Sequence, residues 1–310
     1  MRKLILLAVV LVGLLVVACA QSNSALKSDE IVNWKQELLE TRTKTDAEFK
    51  NDVVSPMAGI ARLNVESGKP VFLVPEDNGA DVSEKNESAV LMVSGTDKNW
   101  TWKPLRKSIS CELNGEPVSE SGITGGMQFK LGRYTLQAYP AGNKLILLVF
   151  DSKRAEFEHF QHLKYFEPNP DLVLNASVER IENPDKVIML TGRNLEKTYY
   201  RYAILHFKVN GEDSQLTAYK MNLKGKYDDM LFIPFRDGTS GKESYGAGRY
   251  LELKETPGET MRLDLNLAFN PLCNYSPAYN CPIPPLENTL NVPIHAGEKS
   301  YPHDKKGKVE

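Results

Sequence analysis

The chain has 310 residues, enough for one large or two small folded units without metal or disulfide staples. With 38 basic against 40 acidic residues its net charge is −2, and no basic stripe interleaved with aromatics occurs, which excludes nucleic acid as the expected partner. Thirteen tyrosines and 21 glycines favour a protein of strands and turns.

Met1-Arg2-Lys3 precedes an apolar run from Leu4 to Ala18, the charged and hydrophobic regions of a secretory signal. The run falls short of the ~20 residues of a membrane-spanning helix. Val16-Val17-Ala18-Cys19 fits a lipobox, so residues 1–18 are expected to leave as signal peptide and Cys19 to carry the lipid that makes the membrane a partner. The competing readings are a signal peptide cut elsewhere and an uncleaved anchor. Each acyl CH₂ buried in a bilayer contributes ~0.8 kcal/mol, so two or three chains hold a protein there. The expected location is the bacterial cell envelope; Ala20 after the cysteine fits the outer membrane where the cell has two.

Residues 19–50 join the polar tether Gln21 to Lys27 to a helix that Ser28 can cap and that runs to about Asp46 or Phe49. Ile31, Trp34, Leu38 and Arg42 follow helical spacing on a narrow stripe. Residues 51–150 read as an antiparallel β subdomain. Its strand-like runs are Val71 to Val74, Ala89 to Val93, Thr101 to Leu105, Ile109 to Leu113, Gln128 to Leu131, Tyr134 to Tyr139 and Leu145 to Phe150. Asp77-Asn78-Gly79-Ala80-Asp81 lacks EF-hand spacing and reads as a solvated turn.

A short connecting helix is expected over Asp151 to Leu163, with Phe157, Phe160 and Leu163 inward. It carries His159 and His162 at a spacing that can hold a metal, but no third ligand is near in sequence, so surface histidines are expected. Pro168 and Pro170 mark a hinge into a second β subdomain, residues 151–299, whose first strands are Leu172 to Val178, Val187 to Thr191, Thr198 to Val209 and Ser214 to Met221. The fold class is therefore mainly β: two antiparallel β subdomains with an N-terminal helix and a short connecting helix. Residues 300–310 form a loose polar tail.

Polar groups, glycines and prolines concentrate between Leu231 and Lys299. Met261 to Asn270 alternates apolar and polar residues, the pattern of one ten-residue, half-buried strand. Asp264 and Asn266 then project from the same face, either as a ligand-facing wall or as a sheet face turned to water. Before it, Phe235 to Tyr250 is a loop with four glycines able to present Asp237, Thr239 and Arg249; after it, six prolines between Pro271 and Pro293 predict a rigid extended strap.

The runs Asp237-x-Thr239-x-Gly241-x-x-x-Tyr245-x-x-Gly248-Arg249, Asp264-x-Asn266, Asn270-Pro271-x-Cys273, Cys281-Pro282-x-Pro284-Pro285-x-Glu287-Asn288 and Gly297-Glu298-Lys299 resemble the DUF1684 family of uncharacterised bacterial proteins. The resemblance is dense over residues 231–299 and looser from about Asp151. It implies that this stretch is a unit, and it carries no activity, cofactor or catalytic residue with it.

With Cys19 assigned to lipid, Cys273 and Cys281 are the expected disulfide in an oxidising compartment, and closing their nine-residue loop gives ~2.6 kcal/mol by chain entropy. A thiolate metal site would want shorter spacing and further ligands. Cys111, between Ile109 and Leu113, reads as a buried small hydrophobe.

No nucleophile elbow or His-Glu-x-x-His is present, and Gly238 to Glu243 departs from a phosphate loop at Glu243. The remaining chemistry lies in Asp237, Asp264, Glu287 and Glu298, with Thr239, Arg249, Asn266, Asn270, Asn288 and Lys299. These fit a lipid-anchored binding or interaction module for a polar small ligand or a divalent cation. The alternatives are an envelope hydrolase, with glycans as one substrate class, using two of the carboxylates, or a satisfied salt-bridge network with no site.

Overall fold

The computed structural model describes residues 24–301 apart from 77–78, 84–86, 97–98, 107–109, 120, 124–125 and 142. The signal and lipobox, the dipeptide Asp77-Asn78 and the tail beyond Tyr301 lie outside the described residues.

Helix α1 (Ile31–Asn51) buries Trp34, Leu38, Arg42 and Phe49, so the helical stripe stands, with a cation in it. Ser28 does not cap it. The N-cap is Glu30, whose side chain instead accepts from the Lys27 amide at 3.0 Å.

Eleven strands follow: β1 (Gly59–Glu66), β2 (Val71–Glu76), β3 (Gly79–Ser83), β4 (Leu91–Thr96), β5 (Asn99–Pro104), β6 (Cys111–Leu113), β7 (Glu116–Pro117), β8 (Ser121–Ile123), β9 (Gln128–Leu131), β10 (Tyr134–Ala141) and β11 (Lys144–Asp151). They form two antiparallel sheets, ordered β1-β11-β10-β9-β6-β7 and β3-β2-β4-β5-β8. Inward side chains of both sheets, among them Leu63, Leu73, Val93, Trp102, Phe129 and Leu147, make one core. Trp102 stacks on Phe129 at 4.6 Å between ring centres.

The connecting segment holds only the short helix α2 (Ala155–Glu158). The expected helix stops early, and at its expected far end the Leu163 N–H donates to Asp46 instead of to the preceding turn. Phe160 and Leu163 are nevertheless buried, and His159 and His162 are exposed.

The second half is a single antiparallel sheet, β17-β16-β15-β14-β12-β18, built from β12 (Val173–Arg180), β13 (Lys186–Leu190), β14 (Glu196–Val209), β15 (Glu212–Lys220), β16 (Met230–Phe235), β17 (Arg249–Lys254) and β18 (Thr260–Asp264), with β13 paired to β14. Asn210 and Gly211, both at positive φ, turn β14 into β15. Period-two alternation gives the sheet two different faces. Ala203, Leu205, Leu216, Leu231, Ile233, Leu251 and Leu263 face a core closed by Leu265, Ala268, Leu290, Val292, Ile294 and Ala296. The proline-rich segment is therefore the lid of a hydrophobic core. The other face carries Tyr199, Tyr219, Phe232 and Tyr250.

The expected ten-residue strand stops at Asp264. The Asp264 carboxylate accepts from the Asn266 amide at 3.0 Å and caps a 3-10 turn over Leu265–Leu267, which ends the ladder. The two halves meet closely: a Cβ on Gly59 would lie 2.4 Å from Ser276 Oγ, which itself donates to the Gly59 carbonyl at 2.8 Å.

Candidate functional site

The residues expected to form one site fall into separate groups. Asp237 Oδ1 accepts from the amide and hydroxyl of Thr239 at 2.7 and 2.6 Å, while Oδ2 pairs with Arg249 at 2.7 Å. Arg249 further donates to the carbonyls of Ile294, Ala296 and Glu298, and its guanidinium lies between the rings of Phe166 and Phe235. This pair clamps the glycine loop to the final segment. Gly248 is required where the loop returns: at φ +105° a Cβ would meet the Phe235 carbonyl at 2.6 Å.

Asp264 holds a different junction. Trp34 Nε1 of α1 donates to its Oδ2 at 2.7 Å; Asn266 Nδ2 donates to Asp264 Oδ1 at 3.0 Å and to the Asn169 carbonyl at 2.8 Å, and Asn266 Oδ1 accepts from the Asn169 amide at 2.8 Å. Asn288 is a strut: its side chain pairs with the Thr217 amide and carbonyl and with the Pro234 carbonyl, each at 2.8 Å. Glu287 is exposed, where Arg201 and Tyr219 donate to it at 3.0 and 2.9 Å. Burial opposes its ionisation, but its own backbone amide, Tyr219 and Arg201 outweigh that and hold it below the usual carboxylate range. Lys299 lies over the Phe166 ring.

Asp237, Asp264 and Glu287 thus have separate partner sets and do not face a common space. Each is held by partners within the chain, although Arg249 Nε beside Asp237 is buried without one. Cys273 and Cys281 are free thiols rather than the expected disulfide. The loop does close, through the Cys273 amide donating to Cys281 Sγ at 3.2 Å. Among the described residues no cluster of three His, Cys, Asp or Glu side chains could hold a metal ion.

Three of the expected residues do meet at one cavity. Asn266, Asn270 and Glu298 line a space of about 450 Å³ between α1 and the 266–272 segment, together with Arg42, Phe49 and Tyr165. Asn270 donates its amide to Glu298 Oε2 at 2.6 Å and its side-chain NH₂ to the Lys299 carbonyl at 2.8 Å; Tyr275 donates its hydroxyl to Glu298 Oε1. Burial pushes the Glu298 carboxyl up to about 7, against the hydrogen bonds from Tyr275 and Asn270. Asn270 Oδ1 and Arg42 Nε and Nη2 are buried without a hydrogen-bond partner. Arg42, 9% exposed, gives Nη1 to the Phe166 carbonyl at 3.0 Å and stacks over Tyr165. Unpaired buried donors and acceptors are uncommon, and here two such residues line one cavity.

Comparison with known proteins adds a family. A family model described as a protein of unknown function, DUF1684, matches residues 158–299. The chain belongs to the DUF1684 family. An uncharacterised protein of Haloarcula marismortui, solved by solution NMR, is 37% identical over 46% of this chain and 79% of that one, with a TM-score of 0.40. No curated protein matches the chain. The DUF1684 segment supplies Asn266, Asn270 and Glu298, whereas Arg42 comes from the helix that precedes it.

Sequence reasoning missed the roles of Arg42, Tyr275 and Trp34. The available signal was Arg42 itself, a cation on the stripe Ile31, Trp34, Leu38, where a core-facing position wants an apolar side chain. Trp34 and Tyr275 gave no local signal, because their partners lie 230 and 23 residues away.

Proposed function

We propose that this DUF1684 protein is a lipid-anchored binding module of the bacterial cell envelope that takes a small polar molecule in the cavity beneath α1. The observation that carries the reading is the pair of buried, unpartnered groups on that cavity: the Arg42 guanidinium, with Nε and Nη2 free, and the Asn270 carbonyl oxygen. A guanidinium favours an anion over a metal cation, and it matches a planar carboxylate with two parallel N–H donors. Asn270 Oδ1 wants a donor in return. The ligand that answers both is a small hydroxy- or amino-carboxylate. A cavity of about 450 Å³ is within the range of small-molecule sites and suits a compact acid of this kind. Thr41 and Glu48, exposed on α1, form the rim.

The test is calorimetry of the full chain against lactate, citrate and glutamate, with acetate as the acid that lacks a second donor. Saturable binding of one of the first three, weakened at least tenfold in Arg42→Gln, is the expected result. Equal binding to wild type and variant, or none from the panel, overturns it. The anchor is tested separately by metabolic labelling with an alkyne fatty acid, which should mark the wild type and leave Cys19→Ser unmarked.

A further inference from the structure

A second cavity lies on the aromatic face of the C-terminal sheet and adjoins the first, with which it shares Glu252, Phe269 and Leu272. It measures about 580 Å³ and is walled by Tyr199, Phe232, Tyr250 and Phe269, with Arg62 and Lys197 at the same space. The rings form a continuous ladder: Tyr199 stacks on Phe232 at 5.2 Å, Phe232 meets Tyr250 edge-on at 4.8 Å, and Tyr250 meets Phe269 edge-on at 5.9 Å. Tyr199, Phe232 and Tyr250 belong to a hydrophobic cluster of their own, separate from the core that the apolar lid closes on the opposite face. Tyr227 and Met221, both 51% exposed, stand at the cavity as adaptable apolar groups.

The polar groups have a consistent sign. Arg62 comes from β1 of the N-terminal half, and Lys197 from β14 of the C-terminal half. Among the described residues neither has a salt-bridge partner; partial burial lowers the pKa of both, and at Lys197 the nearby Cys281 opposes that shift while Arg62 adds to it. Glu252 also lines the cavity, but burial raises its pKa and so weakens its claim to a charge. Two groups remain without partners here, Arg62 Nε and Asn280 Oδ1, and Asn280 is only 8% exposed. Like charges held together in a partly dry space are costly unless an anion joins them. Aromatic walls supply apolar contact and edge or face geometry for another ring.

We propose that this cavity is a binding site for a small aromatic carboxylate, its ring against Phe232 and Tyr250 and its acid group between Arg62 and Lys197. One ligand would then touch both halves of the chain.

The probe is 3-phenylpropionate, added to the full chain and followed by saturation-transfer NMR and calorimetry. One saturable site is expected, weakened at least tenfold in 3-phenylpropionamide, which keeps the ring and loses the charge, and weakened at least twofold in 3-cyclohexylpropionate. Lys197→Gln alters an exposed residue and keeps the fold testable where Arg62→Gln does not fold; either folded variant should bind the acid at least tenfold more weakly, with the melting temperature as control. Arg42→Gln should leave this binding unchanged, which separates it from the first cavity. Amide and acid binding alike, loss with Arg42→Gln, indifference to Lys197→Gln, or no binding of the acid overturns the proposal.

Discussion

Arg249 and Asp237 meet at 2.7 Å with neither side chain exposed to solvent. The pair joins the glycine loop to β17, and Arg249 Nη1 and Nη2 also reach carbonyls of Ile294, Ala296 and Glu298, so one guanidinium ties three stretches of chain, with Nε left without a partner. Removing one partner leaves an uncompensated buried charge, which costs about 3–5 kcal/mol, whereas removing both at once costs less than the sum. Asp237→Asn and Arg249→Met are each expected to lower stability by that amount in urea denaturation. The double variant should recover part of the loss. Additive losses would mean that the two charges do not compensate one another.

Trp34 and Asp264 fasten α1 to the C-terminal sheet at 2.7 Å. Trp34→Phe keeps most of the apolar contact and removes the donor, leaving Asp264 Oδ2 with Arg262 at 3.5 Å. A loss of about 1–3 kcal/mol is expected, with faster proteolysis in the segment before Gly59. Unchanged proteolysis would show that α1 is held by packing alone.

Glu298 gives a pH dependence. Its folded-state pKa is raised to about 7 while the unfolded chain titrates near 4.5, so between these values the folded state binds more protons than the unfolded one. Stability therefore falls as pH rises through that window and levels above it, by up to a few kcal/mol. Denaturant midpoints at pH 5 and pH 8 should differ less in Glu298→Gln than in the wild type. An identical pH response in the two proteins would remove Glu298 from the account.

Cys273 is the most acidic of the described thiols. Its hydrogen bond with Cys281 outweighs burial and, with help from Tyr245, lowers its pKa to about 7, whereas burial pushes Cys111 up to about 11. In reduced protein, iodoacetamide should modify Cys273 first, with a rate midpoint near pH 7. Cys281→Ala should move that midpoint upward. A midpoint that stays in place would assign the acidity to another neighbour.

The sequence by itself determined the mainly β class, most of the strands and the apolar stripe of α1. Alternation and helical spacing are local records of which face is buried, and they survive without knowledge of partners. It failed at Met261 to Asn270, where alternation continues past the strand: the Asp264 carboxylate captures the Asn266 amide and turns the chain. It failed likewise after Glu158, where the expected helix does not continue and the Leu163 amide serves Asp46.

The composition of the candidate site was decided by tertiary structure alone. Asp237, Asp264, Asn288 and Glu298 look alike as polar residues in one family segment, and nothing local says which will be satisfied. Arg249, Trp34 and Thr217 satisfy the first three from elsewhere in the chain. Asn270 and Arg42 keep free hydrogen-bonding groups beside a cavity, because the distance between α1 and the DUF1684 segment was set by the packing of Trp34, Phe49 and Tyr275.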